Sequence, residues 1–109
     1  MAANIYESPD GKLRLVLTAG DDGDVMLGFE GYPWHTHANL LVPSYGPTKD
    51  DALKRFVQDI IESRAVIALY RRGGEIIGIE ITLDPAEDLR YLAEGETVEH
   101  RFWNGSSPP

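Results

Sequence analysis

The chain predicts an α+β domain: a mostly antiparallel sheet of about six strands, with one long helix packed on one face and a second, short helix. Three observations carry this expectation. Strand-like alternation comes in hairpin-linked groups instead of alternating with helices, which argues against a parallel sheet built from βαβ units. Only one stretch, 48–62, sustains a helical period. A length of 109 residues with 42% hydrophobic content suits one core and is too short for two. The expected division is a single domain over 1–103 and a disordered polar tail over 104–109, in which Gly105 should tolerate a side chain.

Taken in order, Ile5 and Tyr6 lie in a short apolar segment that ends at Ser8-Pro9-Asp10-Gly11. Proline supplies the fixed φ of a turn and Gly11 accepts a left-handed one, so a hairpin is expected there. Leu13, Leu15 and Leu17 alternate with Arg14 and Val16, and after Gly20-Asp21-Asp22-Gly23 the same period returns at Val25, Leu27 and Phe29. These are three antiparallel strands with one buried face. Residues 31–47 hold Pro33, Pro43 and Pro47 and have no sustained period. A short strand fits around Trp34 to Leu40, and the rest reads as a shaped loop.

Thr48 then caps the long helix, with Asp50 and Asp51 in its first turn, where the helix dipole favours negative charge. Leu53, Phe56, Val57, Ile60 and Ile61 follow at the spacing of one apolar face. Ala65–Tyr70 and Glu75–Thr82 are apolar runs joined through Gly73-Gly74, a pair suited to a primed two-residue turn, and both read as central strands. Asp84-Pro85 is a cap with proline at the first helical position, so a short helix is expected from Pro85 to Leu92. Alternation over Thr97–Trp103 closes the domain.

The formal charge is −8, from 18 acidic against 10 basic residues. That balance argues against nonspecific binding to nucleic acid or anionic membranes, which need clustered Lys and Arg. The absence of cysteine excludes a disulfide scaffold and thiol chemistry. Apolar runs are far short of a bilayer span, and no basic-then-apolar leader opens the chain, so a cytoplasmic location is expected.

Three features carry candidate chemistry. His35-Thr36-His37 places two imidazoles on one face of an extended chain, the spacing with which two ligands grip a zinc ion. A third ligand is needed, and His100, Asp50, Asp51 and Glu99 are the candidates; the alternative is that both histidines bond to backbone or water and no cofactor is held. Second, Tyr32, Trp34, Tyr45, Tyr91 and Trp103 are large amphipathic side chains in irregular segments, the residue types that dominate protein interfaces; Trp34 and Trp103 fit equally as caps on the ends of a small core. Third, Asp21, Asp22 and Asp24 cluster near the second hairpin, with further acids between Asp84 and Glu99. Such a patch is either a solvated face or an electrostatic mate for a basic protein partner. Ser8, Ser44 and Ser63 lie in turns or helix ends, which offers little for nucleophilic catalysis.

Two resemblances bear on these residues. Gly31–His37, then Pro43-Ser44 and the helix with Asp50 and Asp51, are similar to the zinc-binding signature of JAMM/MPN-type metallopeptidases, His-x-His followed by Ser-x-x-Asp with an upstream glutamate base. Here Ala38 follows the second histidine where proline is usual, Pro47 stands at the aspartate position, and only Glu7 or Glu30 is upstream. That resemblance implies a small zinc-dependent hydrolase using His35 and His37. The layout as a whole, most of all Gly31–His37, the helix around Phe56-Val57 and the end from Glu99 to Gly105, resembles small acidic cysteine-free bacterial proteins that include immunity proteins of polymorphic toxin systems. It implies a cytoplasmic binding module that blocks a basic toxin domain. On that reading the binding residues are Tyr32, Trp34, His35, His37, Tyr45 and Trp103, with Asp21, Asp22 and Asp24 as the acidic patch.

Overall fold

The N-terminal meander forms as the alternation predicts, in a computed structural model that describes residues 3–20 and 23–108. β1 (Ala3–Glu7), β2 (Arg14–Ala19) and β3 (Val25–Phe29) pair antiparallel in chain order, and a short β4 (His35–His37) adds beside β3. The first turn is held from inside. Ser8 Oγ accepts the Leu13 N–H at 3.0 Å and donates to Asp10 Oδ1 at 2.7 Å. Leu15, Leu17, Leu27 and Phe29 face the core and are buried. On the opposite face, Ile5, Val16, Gly28 and His35 stand in one row across the four strands.

Where a loop is expected, residues 38–45 form a helix, α1 (Ala38–Tyr45), with Pro43 inside it. Proline there removes the hydrogen bond to the carbonyl of Asn39. Both residues are exposed, so water can satisfy that carbonyl. Tertiary packing outweighs the local penalty: Ala38 and Leu41 are buried, and the Tyr45 ring meets Phe56 edge-on at 5.3 Å. The chain then turns at Gly46, where a Cβ would sit 2.6 Å from the Val42 carbonyl oxygen. The predicted helix follows as α2 (Lys49–Ile61), its Asp51 N–H bonded to Thr48 Oγ1 at 3.1 Å.

The second half departs from the single sheet of about six strands expected from the alternation. Among the described residues seven strands divide into two antiparallel sheets, of four and three strands. β4 is only three residues long and passes straight into α1, so the first ladder stops there. A new sheet starts after α2, with β5 (Val66–Arg72) between β6 (Glu75–Thr82) and β7 (Glu96–Arg101). Only β5 is central; β6 is an edge strand although its sequence is Ile-rich. The β5–β6 turn has φ +60° at Gly73 and +87° at Gly74, as a two-residue primed hairpin requires. After β6, Asp84 caps α3 (Pro85–Asp88), accepting the Glu87 N–H at 3.2 Å, and a 3-10 turn, Leu89–Tyr91, continues it.

Both sheets share one core. Ala52, Phe56, Val57 and Ile60 of α2 are buried in the same cluster as Leu15, Leu27 and Phe29 from the first sheet and Ile67, Leu69 and Ile79 from the second. The long helix therefore covers two sheets. The segment expected as an unstructured tail begins with a turn: the Phe102 N–H bonds to the Ser106 carbonyl at 2.8 Å, and the Gly105 N–H to the Phe102 carbonyl at 3.0 Å. Among the described residues no helix is long and apolar enough to cross a membrane.

Candidate functional site

The aromatic residues from 32 to 45 are brought together on two sides of Trp34. After β3, the Tyr32 N–H bonds back to the Phe29 carbonyl at 3.1 Å with Gly31 at φ +87°, which turns the chain toward β4. Inward–outward alternation then sends Trp34 to the core side, its ring 6.0 Å from Phe29, and His35 to the outer face. Trp34 stays half-buried, because it sits where β4, α1 and the end of β6 meet.

That junction is a groove of about 290 Å³ lined by Trp34, Leu40, Tyr45, Phe56, Ile81 and Leu83 among others. Leu83 is 95% exposed and Leu40 65%. Burial and the negative charge of Asp59 push the Tyr45 phenol above its ordinary pKa, so it stays a neutral hydroxyl at the groove wall. The site is thus two half-buried aromatics flanked by two leucines that lie largely in water. Leu40 and Leu83 are absent from the candidates read in the sequence. Their signal was available in part: Leu83 is a leucine in a turn, outside both the strand period and the capped helix after it.

A second concavity, of about 370 Å³, lies on the outer face of the first sheet between Val16, Met26, Tyr32 and His35. Its floor is Gly28, whose absent side chain leaves room beside the Trp34 carbonyl; a Cβ there would approach that oxygen to 2.8 Å. Trp34 borders both concavities, whereas Tyr32 and Tyr45 lie in different ones. Trp103 joins neither. It is buried in the core, so its expected place on the binding surface is corrected to a packing one.

His35 and His37 share the outer face with ring centroids 5.1 Å apart. His37 Nδ1 stands 3.3 Å from the Asp24 carboxylate. Asp24 also accepts the Val25 N–H at 2.9 Å and the Asn39 N–H, at the start of α1, at 3.4 Å. Asp24 is therefore a buried brace between β3 and α1, not a member of a solvated acidic patch. Asp21 and Asp22, the rest of that patch, lie outside the described residues. His100 does not meet the histidine pair. It is on β7 and bonds Asp88 Oδ2 through Nε2 at 2.9 Å. Among the described residues no three His, Asp or Glu side chains stand close enough together to hold a metal ion.

That His100–Asp88 contact belongs to a polar cluster that sequence reading missed. Pairing places Glu80 and His100 on either side of Ala68, with Tyr70 two residues along β5 on the same face. Tyr70 donates its hydroxyl to Glu80 Oε1 at 3.1 Å. Burial, then the negative charges of Glu80 and Asp88, raise its pKa well above the ordinary phenol value. Four elements contribute one residue each, so no local spacing reveals the group. It ties α3 to the sheet, since Asp88 reaches across to β7.

Comparison of the chain with protein-family models, curated proteins and solved structures finds no match.

Proposed function

We propose that the chain is a cytoplasmic binding module that holds a protein partner at the Trp34–Tyr45 groove. The observation that carries this reading is the pairing of two half-buried aromatics with the exposed Leu40 and Leu83 around one groove. Exposed leucines beside Trp and Tyr form the kind of centre that gains by being desolvated against a partner. The net charge of −8 favours a basic partner and speeds its encounter. The resemblance to immunity proteins makes a basic toxin domain the kind of partner to test first.

The test is the kinetics of a partner recovered on the immobilised chain. Trp34→Ala is expected to leave association unchanged and speed dissociation at least about 30-fold, the equivalent of a hot spot of about 2 kcal/mol. Replacing Asp21 and Asp22 with asparagine should slow association, and added salt should shrink that difference. Asp24 is left out of this variant because it braces α1. Rates indifferent to Trp34→Ala defeat the groove as the site.

A second reading has one observation in its favour, the shared face and 5.1 Å ring separation of His35 and His37. A zinc titration on tag-free protein decides it: stoichiometric binding lost in His35→Ala supports the zinc-dependent hydrolase, and no binding defeats it.

A further inference from the structure

We propose that the open edge of β1, with the groove between that strand and α2, is a docking site for an extended segment of another protein. The segment carries apolar side chains at alternate positions and one carboxylate opposite Lys54. This site is separate from the Trp34–Tyr45 groove and stands or falls independently of it.

The backbone hydrogen-bond pattern argues first. The Ser8 N–H bonds to the Leu13 carbonyl, and the Glu30 N–H to the Arg14 carbonyl. Directly opposed residues in antiparallel strands alternate between bonded and non-bonded pairs. With Tyr6 opposite Leu15 and Asn4 opposite Leu17, Asn4, Tyr6 and Ser8 direct their backbone groups at β2. Ile5 and Glu7 direct theirs away from the sheet. β1 is the outermost strand and residues 4–7 are exposed, so two donor–acceptor sets, two residues apart, face open solvent. Natural edges are usually blunted by proline, lysine or a bulge. β1 has none of these: its register against β2 is continuous and its one charge, Glu7, is engaged by Arg14 at 3.3 Å.

The groove argues second. It has a volume of about 420 Å³, with Leu17 and Tyr6 on the sheet side and Leu53, Val57 and Ile61 on the helix side. A strand added beside β1 presents every second side chain to the face that carries Tyr6, and so into this groove. Backbone pairing there supplies affinity, and the groove selects the alternate side chains.

Charge argues third. Lys54 lines the groove and takes part in no ion pair among the described residues. A carboxylate on the incoming segment completes it. The net charge of −8 disfavours a run of acids at longer range, so one suffices. A second copy of this chain fits less well. Symmetric pairing of β1 with itself would turn Asn4 and Tyr6 toward the groove, neither of them an acid, and would bring together two chains of the same charge.

The experiment is an amide NMR titration with a short, end-blocked peptide of alternating valine and threonine, with glutamate in place of the central valine. A matched peptide with lysine at that position is the control. The expected result is saturable shifts at Ile5, Glu7, Leu53 and Val57, with the lysine peptide at least about tenfold weaker. Ile5→Pro removes an outward N–H without breaking the β1–β2 ladder, a placement proline tolerates on an edge strand. It should keep the spectrum of β2 and α2 and lose the binding. Should that variant not fold, Lys54→Glu must reverse the preference between the two peptides. The proposal is overturned by no saturable shift at Ile5 and Glu7 up to about 1 mM peptide, or by binding that survives in folded Ile5→Pro. It is equally overturned by sedimentation of the free protein as a dimer that Ile5→Pro dissociates, which makes the occupant a second copy.

Discussion

Replacing Asp10 with asparagine tests the contact that ties the two ends of the chain together. Arg101, on the last strand, has a side chain only 5% exposed. Its Nη1 donates to Asp10 Oδ2 at 2.7 Å, its Nη2 to the Trp103 carbonyl at 3.0 Å and its Nε to the Phe102 carbonyl at 2.9 Å. Asp10→Asn keeps the shape of the turn but leaves a buried guanidinium with neutral acceptors only. Breaking a buried ion pair costs about 3–5 kcal/mol. The Asp10 side chain is 31% exposed, so water partly replaces it and the low end, about 3 kcal/mol, applies. At roughly 4 °C per kcal/mol, the melting temperature followed by circular dichroism at pH 7 should fall by about 12 °C. The pH dependence is a second handle. Hydrogen bonds from Arg101, then from Ser8, hold the Asp10 carboxyl well below the usual carboxylate range. Its stabilisation is therefore complete above the unfolded-state value of about 4 and is lost as pH falls from there toward the folded value. The gap between parent and variant should be full at pH 7 and narrow below about pH 4. A drop of less than about 2 °C at pH 7, or a gap that persists unchanged in acid, refutes the reasoning.

Three further stability tests follow from the fold. Phe56→Ala opens a cavity where α2 meets both sheets, and should cost about 3–5 kcal/mol in chemical denaturation; a midpoint equal to the parent's would mean that α2 does not hold the core together. Gly74→Val, at φ +87°, should destabilise the β5–β6 hairpin by at least about 1 kcal/mol. Gly105→Val should do the same, although the tail position alone predicts tolerance: Gly105 has φ +93°, and its Cβ would lie 3.4 Å from Asp10 Oδ2. If Gly105→Val melts with the parent, the turn at 104–106 does not support the Asp10–Arg101 pair.

Local periodicity was enough to read the meander, α2 and the Gly73-Gly74 hairpin, because each is decided by residues close in sequence. It was blind to α1, where Pro43 and the flanking prolines give a strong local signal against a helix. What wins there is distant: Asp24 at the start of the helix, and Phe56 under Tyr45. The same limit applied to the site. Trp34 and Tyr45 were found by residue type, but Leu83 joins them only because β6 ends beside α1. Trp103 and Asp24 misled because an exposed-looking aromatic and an acid in a run of acids are each, in this fold, buried and engaged.

The division into two sheets is also what leaves room for the concavities beside α2. A single sheet of six strands would have taken the apolar stripe of α2 on one continuous face. Split into two, the sheets meet the helix from different sides, and its margins are only partly covered. Leu53, Val57 and Ile61 border the groove beside β1 and β2, while Phe56 lies at the base of the groove between β4, α1 and the end of β6. One helix thus furnishes a wall to both concavities through residues that also hold the core. Substitutions at Val57 or Phe56 therefore disturb the core together with the concavities, and Trp34 packs against the same core cluster, whereas Leu83, Ile5 and Lys54 lie outside it, so variants there alter the rims and leave the core packing in place.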